Sequence, residues 1–477
     1  MNPRRLLILA LMLSGLQFSA DGQNSTPPTS PVETPSGDSG SIRTAPAAPL
    51  TGIAGMDAEV GTEDTSNDLP QIPALLGGKG ISTAFVTELE RSNYLRGGIN
   101  VGAAYDDNPL LDSSGSEGNA SVSIFPNISI EQSSSRVRWT AGYAGGLTIN
   151  QRFTSENQGS HNVNFDSQYR LSPHVNLRVA EMFSVVTGFF DAGNGSEAGV
   201  GSGTTNASLI APLSTQRSSL TTVETNYHFA LNDLVGASGS FYDLHYANPS
   251  QGTELSLLPD SQTATGSAFW LHRIFGGDWG GTSYRFERLT FTGGDETRVH
   301  SFLLVDTLKF ANRFTLTGFA GPQYAENQFL VTSGTTTAMA QTNNWSFSGG
   351  AEAGWQTHRT SLFAGYSRSI TDGGGVLGAV LSQNVHGTFR REVLPGWAAS
   401  VSASYGKNQA LVPSEGNASS IDLTSAGFLI ERNVGKSIGM RAGYTHDFQQ
   451  QYGPTFNASR NRVFVTVSYQ WAKPLGM

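Results

Sequence analysis

The residues best suited to metal binding or proton transfer are nine histidines, and their spacing supports neither. His161, His174, His228, His245, His272, His300, His358, His386 and His446 are scattered one per segment, without the short ligand spacing of a locally built metal site. Cysteine is absent, which excludes disulfides, thiolate metal centres and cysteine nucleophiles. Neither a G-x-S-x-G elbow nor a phosphate-cradling G-x-x-x-x-G-K-[ST] loop occurs. A serine and a histidine meeting from neighbouring strands would leave no such motif, so that arrangement stays open. Asp106, Asp107 and Asn108 offer oxygens that suit Ca²⁺, or mark the polar exit of a strand into a loop. The expectation is a chain with no catalytic residues, no resident metal and no cofactor.

What remains is electrostatic. Arg96, Arg138, Arg170, Arg178, Arg285, Arg390 and Arg441, with Glu131, Asp166, Glu224, Glu287, Glu352 and Glu431, recur on the polar parity of long alternating segments. Facing charges of both signs, brought together around a channel, would orient and sort polar solutes, or would form wall salt bridges without selectivity. Glu181 falls on the apolar parity and departs from the pattern.

The elements that must carry these charges are strands. Val163, Phe165, Tyr169 and Leu171 alternate with Asn162, Asn164, Asp166, Gln168 and Arg170; Val463, Val465, Val467, Tyr469 and Trp471 alternate with Arg462, Thr466, Ser468 and Gln470. A period of two over such lengths means β-structure with one apolar and one polar face. Two segments, Thr263 to Phe275 and Arg298 to Phe310, carry apolar residues on both parities. A bulge, a parity slip or an inward apolar wall facing a plug would each produce that mixture.

Connections supply the topology. Tight-turn signals fall at Ser133 to Arg136, Leu171 to His174, Leu231 to Asp233, Gly276 to Asp278, Ala311 to Arg313, Thr357 to Thr360, Leu394 to Gly396 and Asn433 to Lys436. A longer polar loop, such as Gly193 to Ser214, Asn248 to Ser261, Val331 to Thr342 or Leu411 to Ser419, is expected between each consecutive pair. Those turns join strands in pairs, and a first and a last strand stand outside them. The reading is all-β, an antiparallel transmembrane barrel of about 18 strands (alternatively about 16), with both termini on the tight-turn, periplasmic side.

Aromatics give the span. Trp345 and Trp355 share a parity ten residues apart, which at ~3.3 Å per residue and ~45° tilt is roughly 23 Å along the membrane normal. Trp139, Tyr169, Trp345, Trp355, Trp397, Tyr469 and Trp471 are assigned to two membrane belts, each of which could singly be ordinary strand packing. A charged fraction of 14% and 56 glycines suit a wall between lipid and water, and a net charge of −9 argues against nucleic acid as a partner.

Residues 1–22 read as a signal peptide, with Arg4 and Arg5 before the apolar run Leu6 to Leu16 and small residues at Ala20 and Gly22; a membrane-anchoring helix is the alternative. Residues 23–92 read as a disordered periplasmic tail rich in Pro, Ser and Thr, with a short helix near residues 82–91 capped by Ser82. That segment is a linker, a plug or a docking site for a periplasmic partner. The barrel is assigned to residues 93–472 and a C-terminal extension to 473–477.

The run Tyr105 to Asn108 (Y-D-D-N), closing a first amphipathic strand after such a leader, resembles the β-barrel porins of Gram-negative bacteria, some of which are associated with exopolysaccharide systems. The resemblance extends over about Tyr94 to Trp471 and implies an outer-membrane channel, without assigning a substrate-binding residue. Its expected partners are outer-membrane lipid and, during biogenesis, the barrel-assembly machinery. Two functions follow as expectations: passive or gated passage of small polar solutes, or a barrel component of exopolysaccharide export or envelope assembly acting through a periplasmic partner.

Overall fold

The structure, a computed structural model, describes residues 71–72, 81–82, 93–109, 117–152, 157–187, 215–247, 260–275, 278–310, 313–333, 336–373, 378–412, 420–435, 437–452 and 456–475. The expected signal peptide and most of the expected tail lie outside these residues. Two short strands, β1 (Gln71–Ile72) and β2 (Ile81–Ser82), pair with each other, so Ser82, read as a helix cap, sits opposite Gln71. The rest of that expected helix also lies outside the described residues.

The remaining eighteen strands form one closed antiparallel barrel. In chain order they are β3 (Asn93–Asp106), β4 (Asn119–Ser133), β5 (Val137–Asn150), β6 (Gln158–Ser172), β7 (Val175–Thr187) and β8 (Thr215–Ala230). Then come β9 (Asp233–Ala247), β10 (Ser261–Phe275), β11 (Asp278–Phe291), β12 (Glu296–Phe310), β13 (Phe314–Ser333) and β14 (Thr336–Gln356). The last are β15 (Thr360–Thr371), β16 (Val380–Leu394), β17 (Trp397–Ala410), β18 (Ser420–Val434), β19 (Ile438–Tyr452) and β20 (Phe456–Pro474). Each is longer than the ~9–11 residues a tilted strand needs to cross a bilayer.

Closure joins the two ends of the sequence. β20 pairs with β3 from Pro474↔Tyr94 to Arg462↔Asp106, and the Leu475 amide donates to the Asn93 carbonyl at 2.8 Å. The final strand therefore runs through Lys473 and Pro474, two residues past the expected end of the barrel. Both barrel ends lie at the tight-turn end, where Asn93 pairs with Gln132 beside the first turn. Pro395 and Gly396 show why these turns are tight. Proline presets its φ, and Gly396 takes φ 77°, open to glycine at little cost, so that Leu394 can pair with Trp397.

At the opposite end two connections are shorter than expected. β13 and β14 pair continuously to Ser333↔Thr336, so Val331 to Ser333 and Thr336 to Thr342 are strand where a polar loop was expected. Its threonines and β-branched residues favour an extended ladder as readily as a loop. β11 and β12 are joined by Thr292 to Asp295 alone, with Gly293 and Gly294 at φ 120° and 91°.

Burial separates the faces. Ile99, Val101, Val122, Ile124, Val163, Phe165, Val465 and Val467 are exposed, while Asn100, Ser121, Ser123, Asn162 and Thr466, one residue away, are buried. That is the reverse of a water-soluble sandwich and is what a wall facing lipid outside requires. All the assigned belt aromatics stand on this outer face: Trp139, Tyr169, Trp355, Trp397, Tyr469 and Trp471 towards the tight-turn end, Trp345 towards the other. Arg432 caps Trp397, its guanidinium 4.8 Å from the ring centroid, and Tyr324 packs on Trp345 at 5.0 Å. Glu181 also lies on the outer face, its carboxylate accepting hydrogen bonds from Ser219 (3.0 Å) and Thr221 of the next strand.

Candidate functional site: the barrel lumen

Near the tight-turn end the inner face carries charges in interleaved sets. Glu131 on β4 lies 2.7 Å from Arg138 on β5 and 3.5 Å from Arg96 on β3. Arg178 on β7 lies 2.6 Å from Asp166 on β6 and 3.5 Å from Glu224 on β8. Glu431 on β18 holds both Arg390 of β16 and Arg441 of β19 at 3.0 Å. The central ion of each set sits between two of opposite sign: Arg178 stands directly opposite Glu224 and Glu431 opposite Arg441, Glu131 and Asp166 meet their arginines diagonally on the same face, and Arg390 reaches Glu431 across β17.

The carboxylates of Glu131 and Glu224 are almost fully buried, whereas Arg96, Arg138 and Arg390 leave over two-fifths of their side chains exposed. Acids thus lie against the wall and guanidiniums extend from it. Arg285 and Glu287 form a further pair, 2.6 Å apart on β11. Arg170 and Glu352 share the inner face, with no ion-pair partner among the described residues.

Sequence reasoning missed a cluster at the other end. Arg460 on β20 donates to Asp447 on β19 at 2.5 Å and lies 3.8 Å from Asp106 on β3, with Arg462 beside it. Parity alone put Arg462 on the polar face. Only the register of β19, β20 and β3 brings the acids to it. The same register accounts for the Asp106, Asp107 and Asn108 run: Asp107 accepts from the Asn461 amide (2.6 Å) and its Nδ2 (2.7 Å), and Asp106 accepts from the Asn108 amide (3.0 Å). These oxygens clasp the closing strands together. Among the described residues no group of three or more His, Cys, Asp or Glu is arranged to hold a metal.

Five of the nine histidines bond a neighbouring side chain. His161 and His300 bond tyrosines (Tyr143, Tyr284), His245 and His272 bond Asp260 and Asp233, and His446 bonds Asn461.

The lumen has a second kind of wall. Leu234, Phe269, Leu271, Trp279, Leu303, Val305 and Phe319, on the inner face of β9 to β13, form one buried apolar cluster. Phe302 and Leu304, on the other parity, are exposed outside. The mixed segments therefore keep their register along this stretch, with a shift only at Arg273/Phe275, and the inward apolar wall is the explanation that holds.

Above that wall, Ile370 of β15 packs with Leu289, Phe291, Val299 and Ala325 of β11 to β13, joined by Ala379, Leu381 and Leu411. Because those four residues point into the barrel, the loop end of β15 and β16 must fold inward to reach them. Asp372, fully buried, accepts from the Ser261 hydroxyl of β10 at 3.3 Å and anchors this lip across the lumen.

No family model matches the chain, and no curated protein matches it in sequence. Among solved structures it is similar to the outer-membrane protein OpdK of Pseudomonas aeruginosa (11% identity, TM-score 0.41, covering 81% of this chain and 100% of that one). It is likewise similar to OccAB3 of Acinetobacter baumannii (9%, TM-score 0.40, 80% and 99%) and to OccK2 of Pseudomonas aeruginosa (9%, TM-score 0.42, 80% and 98%). Likeness at this level fixes neither family nor solute.

Proposed function

We propose that this chain is a porin-like channel of a Gram-negative outer membrane, with the tight turns and both termini in the periplasm, passing small polar solutes. The observation that carries the reading is the lumen wall: guanidiniums of Arg96, Arg138 and Arg390 stand off buried acids on the inner face of an 18-strand barrel, a width that leaves an aqueous path unless something fills it. The inward lip of β15 and β16 narrows the path on the loop side without reaching the charged sets at the other end. Acids held beneath the arginines keep net field small, so solutes of either sign meet a polar, weakly selective wall.

Planar-bilayer recording tests this. The full chain and a variant lacking residues 24–92 should both give discrete conductance steps in KCl. A barrel that inserts and stays silent until a periplasmic partner is added would overturn the reading in favour of export or envelope assembly.

A further inference from the structure

The ladder between β14 and β15 is the shortest in the barrel. It holds from Gln356↔Ser361 to Gly349↔Arg368 and there stops. β14 continues upward paired only with β13, through Ser333↔Thr336, while β15 turns inward beyond Arg368, carrying Ile370 to the inner wall and Asp372 to Ser261. Among the described residues, the edge of β14 above Ser348 is therefore without a strand neighbour on that side. Trp345, 75% exposed, marks the outer belt. Gly349 is four residues below it, roughly 9 Å along the membrane normal at ~3.3 Å per residue and ~45° tilt. The break thus falls within the outer leaflet, where an open strand edge is tolerated only against protein or a cavity.

We infer that this break is a side passage between the lumen and the outer leaflet, taken by single-chain amphiphiles with an anionic head; the inference rests on the channel reading. Three features define the ligand. On the lumen side the passage meets Phe319 and the apolar cluster around Ile370, a surface for a hydrocarbon chain rather than for an ion. On the lipid side stand Phe347 and Tyr366, which flank the ladder's end. At the rim stands Arg368, whose Nε is buried without a hydrogen-bond partner and whose guanidinium forms no ion pair among the described residues. A guanidinium in that position is a fork for a carboxylate, sulfate or phosphate head. Arg96, Arg138, Arg178, Arg390 and Arg441 are each matched by an acid, whereas Arg368, like Arg170, has none among the described residues.

The test uses the full chain in planar bilayers with dodecyl sulfate, kept below its micellar concentration, and butyl sulfate as the short-chain control. Dodecyl sulfate should block the KCl current at a concentration at least tenfold below butyl sulfate. Arg368→Gln should raise the half-blocking concentration of dodecyl sulfate about fivefold or more, leave unit conductance unchanged and be rescued by Arg368→Lys. Arg390→Gln, at the tight-turn end of the neighbouring strand β16, should not reproduce that loss. Block independent of chain length in the unaltered chain would overturn the side passage whether or not the variants fold, as would block that depends on Arg390 and not on Arg368. Absence of any KCl conductance in the unaltered chain would instead remove the channel reading itself.

Discussion

The two sides of this barrel differ in whether large apolar side chains line the inner face as well as the outer. From β3 to β6 and again in β20, Ile99, Val101, Val122, Ile124, Ile128, Val163, Val465 and Val467 face outward and the inner face carries ions. From β9 to β13, Leu271, Trp279, Leu303 and Phe319 face inward, and the outer face of β9 and β10 is interrupted by Ala237, Gly239, Ala264, Gly266 and Ala268. The difference shows where each side obtains its cohesion. Outward aliphatics meet lipid tails as apolar as themselves, so their gain is contact rather than release of water. Inward ones are shielded from an aqueous lumen, where clustering recovers the hydrophobic effect as in a soluble core. Strands β9 to β13 are thus the side of the wall that behaves like an ordinary protein interior.

The sharpest way to break this comparison is to truncate both kinds of apolar residue. Phe319→Ala, within the inner cluster, should cost ~3–5 kcal/mol by reversible urea unfolding in vesicles, and Val465→Ala, facing lipid, well under half of that. Equal costs would mean that the inner wall is not packed. Ion pairs offer a parallel contrast. Arg460→Ala strands the buried Asp447 and Asp106 and should destabilise by ~3–5 kcal/mol in the same assay; Arg138→Ala, whose side chain is 45% exposed, should cost ~1 kcal/mol or less. Next in size is the face assignment itself. Ala351→Arg, outward and between Trp345 and Trp355, should cost ~2–4 kcal/mol, whereas Glu352→Arg should be tolerated. The smallest effect is on selectivity: replacing Arg138, Arg170 and Arg441 together with Gln should move the reversal potential in a salt gradient towards cations. That shift should shrink in 1 M salt, where the Debye length is ~3 Å.

Legibility followed the same division. In β6 or β20 period-two alternation identifies the face of each residue, because one side is lipid and the other is water, and the positions of the tight turns follow from their glycine, proline and aspartate signals. Between Thr263 and Phe275, and between Arg298 and Phe310, both faces are apolar, so alternation vanishes although the strand is regular. The Arg460 cluster was unreadable for a different reason. Its members are each polar residues on a polar parity, and only inter-strand register, a long-range property, makes them a site. The inward lip was hidden for the same cause: Ile370 looks like an outward strand residue until β15 leaves β14.

Closure between β20 and β3 also sets an order of events. The Asp107 to Asn461 bonds join positions 354 residues apart in the chain, and no ladder can seal the wall until the last strand exists. Every shorter nascent chain presents two bare edges, each able to template wrong pairing, and the entropic cost of meeting grows only slowly with the length enclosed. A truncation at Tyr452 would remove β20 alone, yet it would leave an open sheet where the full chain makes a ring.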